Sequence, residues 1–360
     1  MSAIARARAS LSPLFDHLSS FLTPTELHQL AHAYTAPRNT TFRLNTLKLA
    51  RQGVSRNKTS TSPEKAEVLA KIQAALNETK KRPTPRVRAC PWSPNAFKVS
   101  HPGIAVRHLA GLGVHKEGKI HFQSWSSILA PLCLGAQPGW RVLDMCAAPG
   151  GKSMMLVEDI LGKGLIVCNE LDPARAKRLQ KNVDTLLPAS MKDLVHVQVS
   201  DGRKLSADRE LFGGQLFDAI LLDAPCSGEG IIAMSVPASY KHWSLAWVQR
   251  HARLQGQLIA ASHPLLKKGG YLTYSTCTLS VEENELVVHE FLKRHPDMEV
   301  VELAMPLFSE PDWSSRVSSF GTGFSNHLGT RFIDDMSKAL RVFPTEEYEG
   351  FFVIRMRKRM

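Results

Sequence analysis

From about residue 118 onward, short apolar runs alternate with longer amphipathic ones. Trp140–Met145, Leu165–Asn169, Val195–Val199, Phe217–Leu222, Gly270–Tyr274, Met298–Leu303 and Phe351–Met356 predict strands: each is a brief apolar run of the kind a buried strand needs. Gly151–Leu161, Pro173–Leu187, Leu245–Leu266 and Val281–Arg294 space their apolar positions as a helix does. Strand–helix alternation predicts an α/β, Rossmann-like, doubly wound sheet of mostly parallel strands. The late strands near the chain end predict an antiparallel edge strand.

The first part of the chain is patterned differently. Leu22, Leu27, Leu30 and Ala31 sit at helical spacing within Ser20–Tyr34, with Thr23-Pro24 as a start signal. Thr41–Lys48 alternates apolar and polar residues and predicts a half-buried strand. Residues 51–61 are polar and predict a loop. Ser62-Pro63-Glu64 is a helix start, followed by the stripe Val68, Leu69, Ile72, Ala75 and Leu76. Lys80–Arg88 is basic and broken by prolines, so it predicts an exposed linker. The expected division is a small α+β region over 1–117 and the sheet domain over 118–360.

Charge sharpens that division. Residues 1–100 hold 16 Lys+Arg against 5 Asp+Glu, whereas the whole chain of 360 residues is only +12. A basic module joined to a nearly neutral domain points to a polyanion, and RNA is the expected partner. No run of 18 apolar residues exists, so no membrane span is expected. Arg6 and Arg8 faintly resemble a transit peptide, but Leu11–Phe15 already reads as a packed element. The six cysteines show no C-x-x-C spacing, which argues against zinc or any metal and for a reduced, intracellular setting: cytoplasm, nucleus or mitochondrion. Cys90, Cys133 and Cys168 read as small buried hydrophobes.

The chemistry sits where strands end, which is where ligands bind in an open α/β sheet. The first strand runs into Asp144-Met145-Cys146-Ala147-Ala148-Pro149-Gly150-Gly151-Lys152, a small-residue turn that opens a helix. It matches neither the dinucleotide fingerprint nor the P-loop. The second strand ends at Glu170, placed for a ribose or a cap; the third ends in Ser200-Asp201-Gly202, placed for an adenine amine or an Asx turn. Taken together, these strand ends describe an adenosyl ligand. The next two strands end in Asp223-Ala224-Pro225-Cys226-Ser227-Gly228 and Tyr274-Ser275-Thr276-Cys277-Thr278, so two thiols and a carboxylate meet over one crevice. Such a set suits a sulfur that adds to a substrate and a second group that ends the adduct. Trp92, Trp125, Trp243 and Trp247 are available for base stacking or for packing.

These three motifs, with Arg43-Leu44-Asn45-Thr46-Leu47-Lys48 and the closing Arg341-Val342-Phe343-Pro344 and Gly350-Phe351-Phe352-Val353, resemble the NOL1/NOP2/Sun (RsmB/NOP2/NSUN) family of RNA 5-methylcytosine methyltransferases. The resemblance runs from about residue 10 to the end. It implies S-adenosylmethionine as cofactor, held by Cys146, Ala147, Ala148, Pro149, Gly150, Gly151, Lys152, Glu170, Arg175, Asp201 and Asp223. It implies Cys277 as nucleophile at carbon 6 of cytosine, Asp223 assisting at N3, and Cys226 promoting release. DNA cytosine-5 enzymes place their nucleophile in a Pro-Cys dipeptide, which here is Cys226. The residues alone give each cysteine a comparable claim, and the family pattern favours Cys277. The tetrad Asp223-Ala224-Pro225-Cys226 argues against methylation of an exocyclic amine. RNA contacts are expected from Arg43, Asn45, Lys48, Lys80, Lys81, Arg82, Arg86 and Arg88. The substrate is expected to be an unpaired or flipped cytosine in ribosomal, transfer or messenger RNA, handled by a monomer. Ser- and Gly-rich Ser315–Thr330 is expected to be a substrate-facing or disordered loop. The alternative is a non-catalytic RNA-binding or assembly factor that keeps the fold.

Overall fold

The computed structural model describes residues 3–49, 62–160, 163–305 and 317–360. The expected loop at 51–61 lies outside them. Three short helices, Ala3–Ser10, Ser12–Leu18 and Pro24–Thr35, open the chain. The third has a full capping box: Thr23 accepts from the Glu26 amide, and Glu26 reaches back to Thr23. Strands β1 (Thr41–Leu44), β2 (Val87–Cys90), β3 (Ser93–Val99) and β4 (Ile120–Phe122) form an antiparallel sheet in the order β2-β3-β1-β4. Helix Pro63–Glu78 covers it, capped by Ser62 and burying Val68, Ile72 and Leu76. This first sheet reaches past residue 117, because β4 pairs with β1.

The second sheet holds β5 (Arg141–Asp144), β6 (Leu165–Glu170), β7 (Val195–Val199), β8 (Phe217–Asp223), β9 (Leu266–Thr276), β10 (Met298–Val301), β11 (Phe320–Thr322), β14 (Leu340–Val342) and β15 (Phe351–Lys358). A separate pair, β12 (Asn326–His327) with β13 (Thr330–Arg331), stands apart. The order is β11-β14-β15-β9-β8-β5-β6-β7, with β5 to β9 parallel to one another. Alternate residues feed opposite layers, as a pleat requires. Val142, Ala219 and Leu221 pack under helices Leu129–Leu134, Gly151–Asp159 and Pro173–Leu186. Leu143, Ile220 and Leu222 pack under helices Leu245–Ser262 and Glu285–Arg294.

Several expectations shift. Strand β15 is antiparallel and lies inside the sheet, between β9 on one side and β10 and β14 on the other, and the antiparallel edges are β10 and β11. The strand expected over Thr41–Lys48 stops at Leu44: the Asn45 carboxamide oxygen accepts from the Leu47 amide and turns the chain into helix Thr46–Leu49. Helix Leu245–Ser262 ends before Pro264, which has no amide hydrogen to continue it. The helix expected from Val281 begins at Glu285, because Asn284 is drawn off the axis by bonds to Thr276 Oγ1 and the Thr278 carbonyl. The described part of the loop expected over Ser315–Thr330 is built into β11, β12 and β13, with Phe320 buried. Lys80–Arg86 is the exposed stretch expected apart from Thr84 and Pro85, but Val87 already enters β2.

The opening helices do not belong to the first sheet. Leu14, Phe15, Leu18, Leu27, Leu30 and Tyr34 pack on Ile232 and Leu279, beside the two cysteine loops. No helix among the described residues is long and apolar enough to cross a membrane.

Candidate active site

The ends of β5, β8 and β9 bring the motifs together. The sulfurs of Cys226 and Cys277 lie 3.2 Å apart. Their loops are stitched by Ser227 Oγ and Thr278 Oγ1 at 2.7 Å, and by amides of Ala224 and Gly230 that donate to the carbonyls of Ser275 and Cys277 at 2.9 Å. Asp223 receives Lys152 Nζ at 2.8 Å and Ser275 Oγ at 2.8 Å. Lys152 was expected on the cofactor; here it pairs with Asp223. Burial pulls its pKa down, but the Asp223 carboxylate outweighs burial and raises it, so the ammonium persists.

One cleft of about 410 Å³ is lined by Cys146, Ala148, Arg175, Asp223, Cys226 and Cys277 on one side. Its other side is the segment from Ile231 to Trp247. A second hollow of about 230 Å³ lies between the Ala147–Lys152 turn and β4 with its following loop. Asp144 sits at the back of it, fully buried, accepting from Ser153 Oγ at 2.6 Å. Burial, with the Asp223 charge adding to it, pushes the Asp144 carboxyl up to about 7. Burial and the charges of Asp144, Asp223 and Glu170 push the Cys146 thiol up as well, so it stays neutral. Cys226 is raised too, first by its hydrogen bond to Cys277 and then by burial, which casts Cys226 as the sulfur that keeps its proton.

The expected cofactor residues form one bank. Gly150 adopts φ 104°, and a Cβ there would stand 2.6 Å from Leu179. A Cβ on Gly151 would stand 2.9 Å from His121 Nε2, so glycine lets β4 press on the helix start. Arg175 donates to the Ala148 carbonyl at 2.9 Å and Asn182 to that of Pro149 at 2.7 Å, which fixes the turn. Glu170 accepts from the Asp172 amide through Oε1, while its buried Oε2 has no hydrogen-bond partner among the described residues and lies 3.5 Å from Arg175 Nη1. Asp201 makes the Asx turn to the Arg203 amide at 3.0 Å, and Arg203 also forks onto its carboxylate. Glu170 and Asp201 line neither hollow. Leu171 and Val199, their neighbours, are large apolar side chains exposed at 61% and 53%. An adenosyl group fits this bank: a buried carboxylate oxygen, faced only by the Arg175 ion pair, can still accept from a hydroxyl, and bare apolar surface suits a flat ring.

The expected RNA contacts divide. Lys80, Lys81, Arg82, Arg86 and Arg88 are exposed. Lys48 is half-buried. Arg43 and Asn45 are buried. Arg43 pairs with Glu158 and donates to Gln123, and Asn45 donates to the carbonyls of Gly118 and Leu186. The Arg43–Lys48 element is thus a clamp between the first sheet and the helices behind the cofactor bank. Of the tryptophans, Trp125 is buried, Trp92 stacks on Tyr348, and Trp243 donates to Glu229; Trp243 and Trp247 both border the cleft.

Glu229 was not anticipated. It is fully buried and accepts five hydrogen bonds, from Trp243 Nε1, Thr278 Oγ1, the amides of Leu279 and Ser280, and Ser280 Oγ. It holds the chain just after Cys277. Gly230 beside it lies so close to Gly350 that a Cβ would stand 2.3 Å from the Gly350 carbonyl oxygen. Arg341 of the closing motif is buried, pairs with Glu285 and donates to the Leu279 carbonyl at 2.8 Å. An acid between two glycines directly after Cys226-Ser227 was the available signal for Glu229; nothing local announces that it is buried.

Comparison with known proteins now decides the family. The sequence model described as 16S rRNA methyltransferase RsmB/F matches residues 131–357. The chain belongs to this family. Its fold is the Rossmann-like fold of S-adenosylmethionine-dependent methyltransferases. It is 31% identical over 295 residues to the tRNA (cytosine(49)-C(5))-methyltransferase of Pyrococcus abyssi, covering 81% of this chain and 84% of that one. It is 33% identical over 274 residues to the ribosomal RNA small subunit methyltransferase F of Erwinia tasmaniensis, covering 74% of this chain and 51% of that one. The chain thus spans about half the length of the first curated relatives it matches. Among solved structures, a methyltransferase homolog from Pyrococcus horikoshii superposes with a TM-score of 0.72 at 26% identity over 99% of both chains. NSun6 from Pyrococcus horikoshii shares the fold, with a TM-score of 0.70 at 20% identity, over 96% of this chain and 97% of that one.

Proposed function

We propose that this chain methylates carbon 5 of a cytosine in RNA through a covalent bond between Cys277 Sγ and carbon 6 of the base. The observation that carries the reading is the approach of two sulfurs to 3.2 Å beside an aspartate held by Lys152 and Ser275. A scaffold protein that merely binds RNA has no use for such a pair, which disfavours the non-catalytic alternative. The cytosine-C5 name of the Pyrococcus abyssi relative supports the same reaction.

Carbon 5 of cytosine is a weak nucleophile. Addition of the Cys277 thiolate at carbon 6 pushes electrons toward carbon 5 and N3. The proton that Cys277 gives up is taken up at N3, and Asp223, kept in place by Lys152 and Ser275, accepts a hydrogen bond from the N3–H so formed and stabilises the adduct. S-adenosylmethionine, when bound, supplies an electrophilic methyl group. Glu170 would hold its ribose and the Cys146–Lys152 turn its methionine end, with Arg175 fixing that turn and Asp201 near the adenine. A water base then takes the carbon 5 proton, its C–H electrons re-form the C5–C6 double bond, and the carbon–sulfur electrons return to Cys277, whose departing thiolate the neighbouring Cys226 thiol stabilises by a hydrogen bond.

The target base must be unpaired or flipped, because carbon 6 is unreachable in a stacked duplex. Exposed Lys80, Lys81, Arg82, Arg86 and Arg88 grip phosphates. We take a monomer as the working unit, and an RNA substrate supports an intracellular site of action.

Adduct trapping tests the reading. Wild type, Cys226→Ala and Cys277→Ala are incubated with total RNA and labelled S-adenosylmethionine, then run on denaturing gels. A stable protein–RNA band for Cys226→Ala, absent for Cys277→Ala, is expected. A band from Cys277→Ala alone would exchange the two roles, and no methyl transfer by wild type would overturn the reading.

A further inference from the structure

The far bank of the cleft has no role so far. From Gly230 to Val281, 52 residues pass without one Asp or Glu. Over the same stretch Lys241, Arg250 and Arg253 are exposed, as is His242. The segment is also unusually bare of cover: Ile231, Val236 and Leu245 are large apolar side chains left in solvent. Ile231, Tyr240, His242, Trp243 and Trp247 line the cleft that holds both cysteines.

Within this bank the aromatics differ. Trp243 is tied down, its indole nitrogen on Glu229. Among the described residues the Trp247 indole nitrogen meets no hydrogen-bond partner, and its ring has the Arg250 guanidinium 5.7 Å from its centre and the His251 ring 4.4 Å away, edge-on at 72°. His251 is itself anchored on the Trp247 carbonyl at 2.9 Å. The ring is therefore oriented from behind and remains half-buried at the cleft wall. A flat ring flanked by cations, in an acid-free stretch, is the surface that a nucleotide of a single strand fits: base on indole, phosphate on lysine or arginine.

Resting on the RNA reading above, we infer that Trp247 stacks a base next to the target cytosine, while Lys241, His242 and Arg250 take the adjoining phosphates. This bank and the Lys80–Arg88 run then hold the strand at two points. Its contribution is mainly to RNA affinity, because none of these side chains lies within the Asp223–Cys226–Cys277 cluster.

The test uses the full chain and a short fluorescein-labelled single-stranded RNA with a central cytosine. Fluorescence anisotropy gives Kd for wild type, Trp247→Ala, Trp247→Phe and Lys241→Glu/Arg250→Glu, and calorimetry with S-adenosylmethionine confirms that each variant is intact. Trp247→Ala is expected to weaken RNA binding by roughly tenfold, the scale of one base–aromatic stack. Trp247→Phe should recover most of that loss, and the charge-reversed double variant should flatten the salt dependence. Cofactor affinity should not move. Equal RNA affinity for wild type and Trp247→Ala would overturn the inference while leaving the methyltransferase reading untouched. Trp247-dependent binding by a wild type that transfers no methyl group would do the reverse. No RNA binding by wild type would remove both.

Discussion

Cys226 and Cys277 face each other across 3.2 Å, although 51 residues separate them in the chain. Cys277 directly follows β9 and Cys226 lies three residues past β8, and because these strands are adjacent and parallel the two loops leave the sheet side by side. The bond to Cys277 and burial both raise the Cys226 pKa, so Cys226 holds its thiol proton beside the Cys277 sulfur.

Glu229 should prove structural first and kinetic second. Glu229→Ala leaves Trp243, Thr278 and Ser280 with unmatched donors in the interior, at a cost on the order of 3 kcal/mol. Chemical denaturation should show that loss, and kcat should fall with it because the chain after Cys277 is released. Glu229→Gln should be milder in both. A Glu229→Ala midpoint equal to wild type would contradict this account.

Arg43 should prove a clamp and not an RNA contact. Arg43→Ala strands Glu158, whose carboxylate also accepts from Thr46 Oγ1 at 2.8 Å. A loss of about 2 kcal/mol is expected. Arg43→Lys should not restore it, since a single ammonium cannot reach both Gln123 and Glu158 as a guanidinium fork does. RNA Kd measured at a temperature where both variants are folded should match wild type; a steep change in salt dependence would return Arg43 to the RNA surface.

Stability should fall with rising pH through one identifiable group. Burial raises the Asp144 carboxyl from 3.8 to about 7 in the folded chain. The folded state therefore binds more protons than the unfolded one between those values. This contribution is full below the unfolded pKa and lost as pH climbs through about 7. Asp144→Asn should flatten the unfolding free energy between those two pH values and raise stability at pH 8, by on the order of 2 kcal/mol relative to wild type. Denaturant titrations at three pH values decide it; an unchanged slope would mean Asp144 is ionised in the fold.

The exposed basic run should act through charge alone. Replacing Arg82, Arg86 and Arg88 with Glu should weaken binding to all RNA sequences alike and reduce the dependence of log Kd on log salt. Binding isotherms at several salt concentrations are the measurement. An altered sequence preference with an unaltered salt slope would point to base contacts instead.

Most of the catalytic domain was legible because its elements are strongly periodic. The strand Val195–Val199 falls where its pattern put it, and β5, β6 and β8 within a residue or two. The departures come from side chains that bond across the chain. Asn45 ends β1 by capping its own turn, and Asn284 splits a helix by bonding Thr276 and Thr278. Proline at 264 announces one helix end, but an asparagine announces nothing until its partner is known.

The sequence by itself determined the α/β plan, the strand-end motifs and the pair of cysteines, because hydrophobic period and loop chemistry are local properties of a chain. Only the tertiary structure decided which polar groups are spent inside the protein. Arg43, Asn45, Glu229 and Arg341 are hydrophilic residues that burial became affordable for only because partners from distant segments satisfy them. The same holds for Lys152, whose partner Asp223 reaches it across the β5–β8 junction. Burial and pairing depend on what folds against a residue, and that is a property of the whole fold.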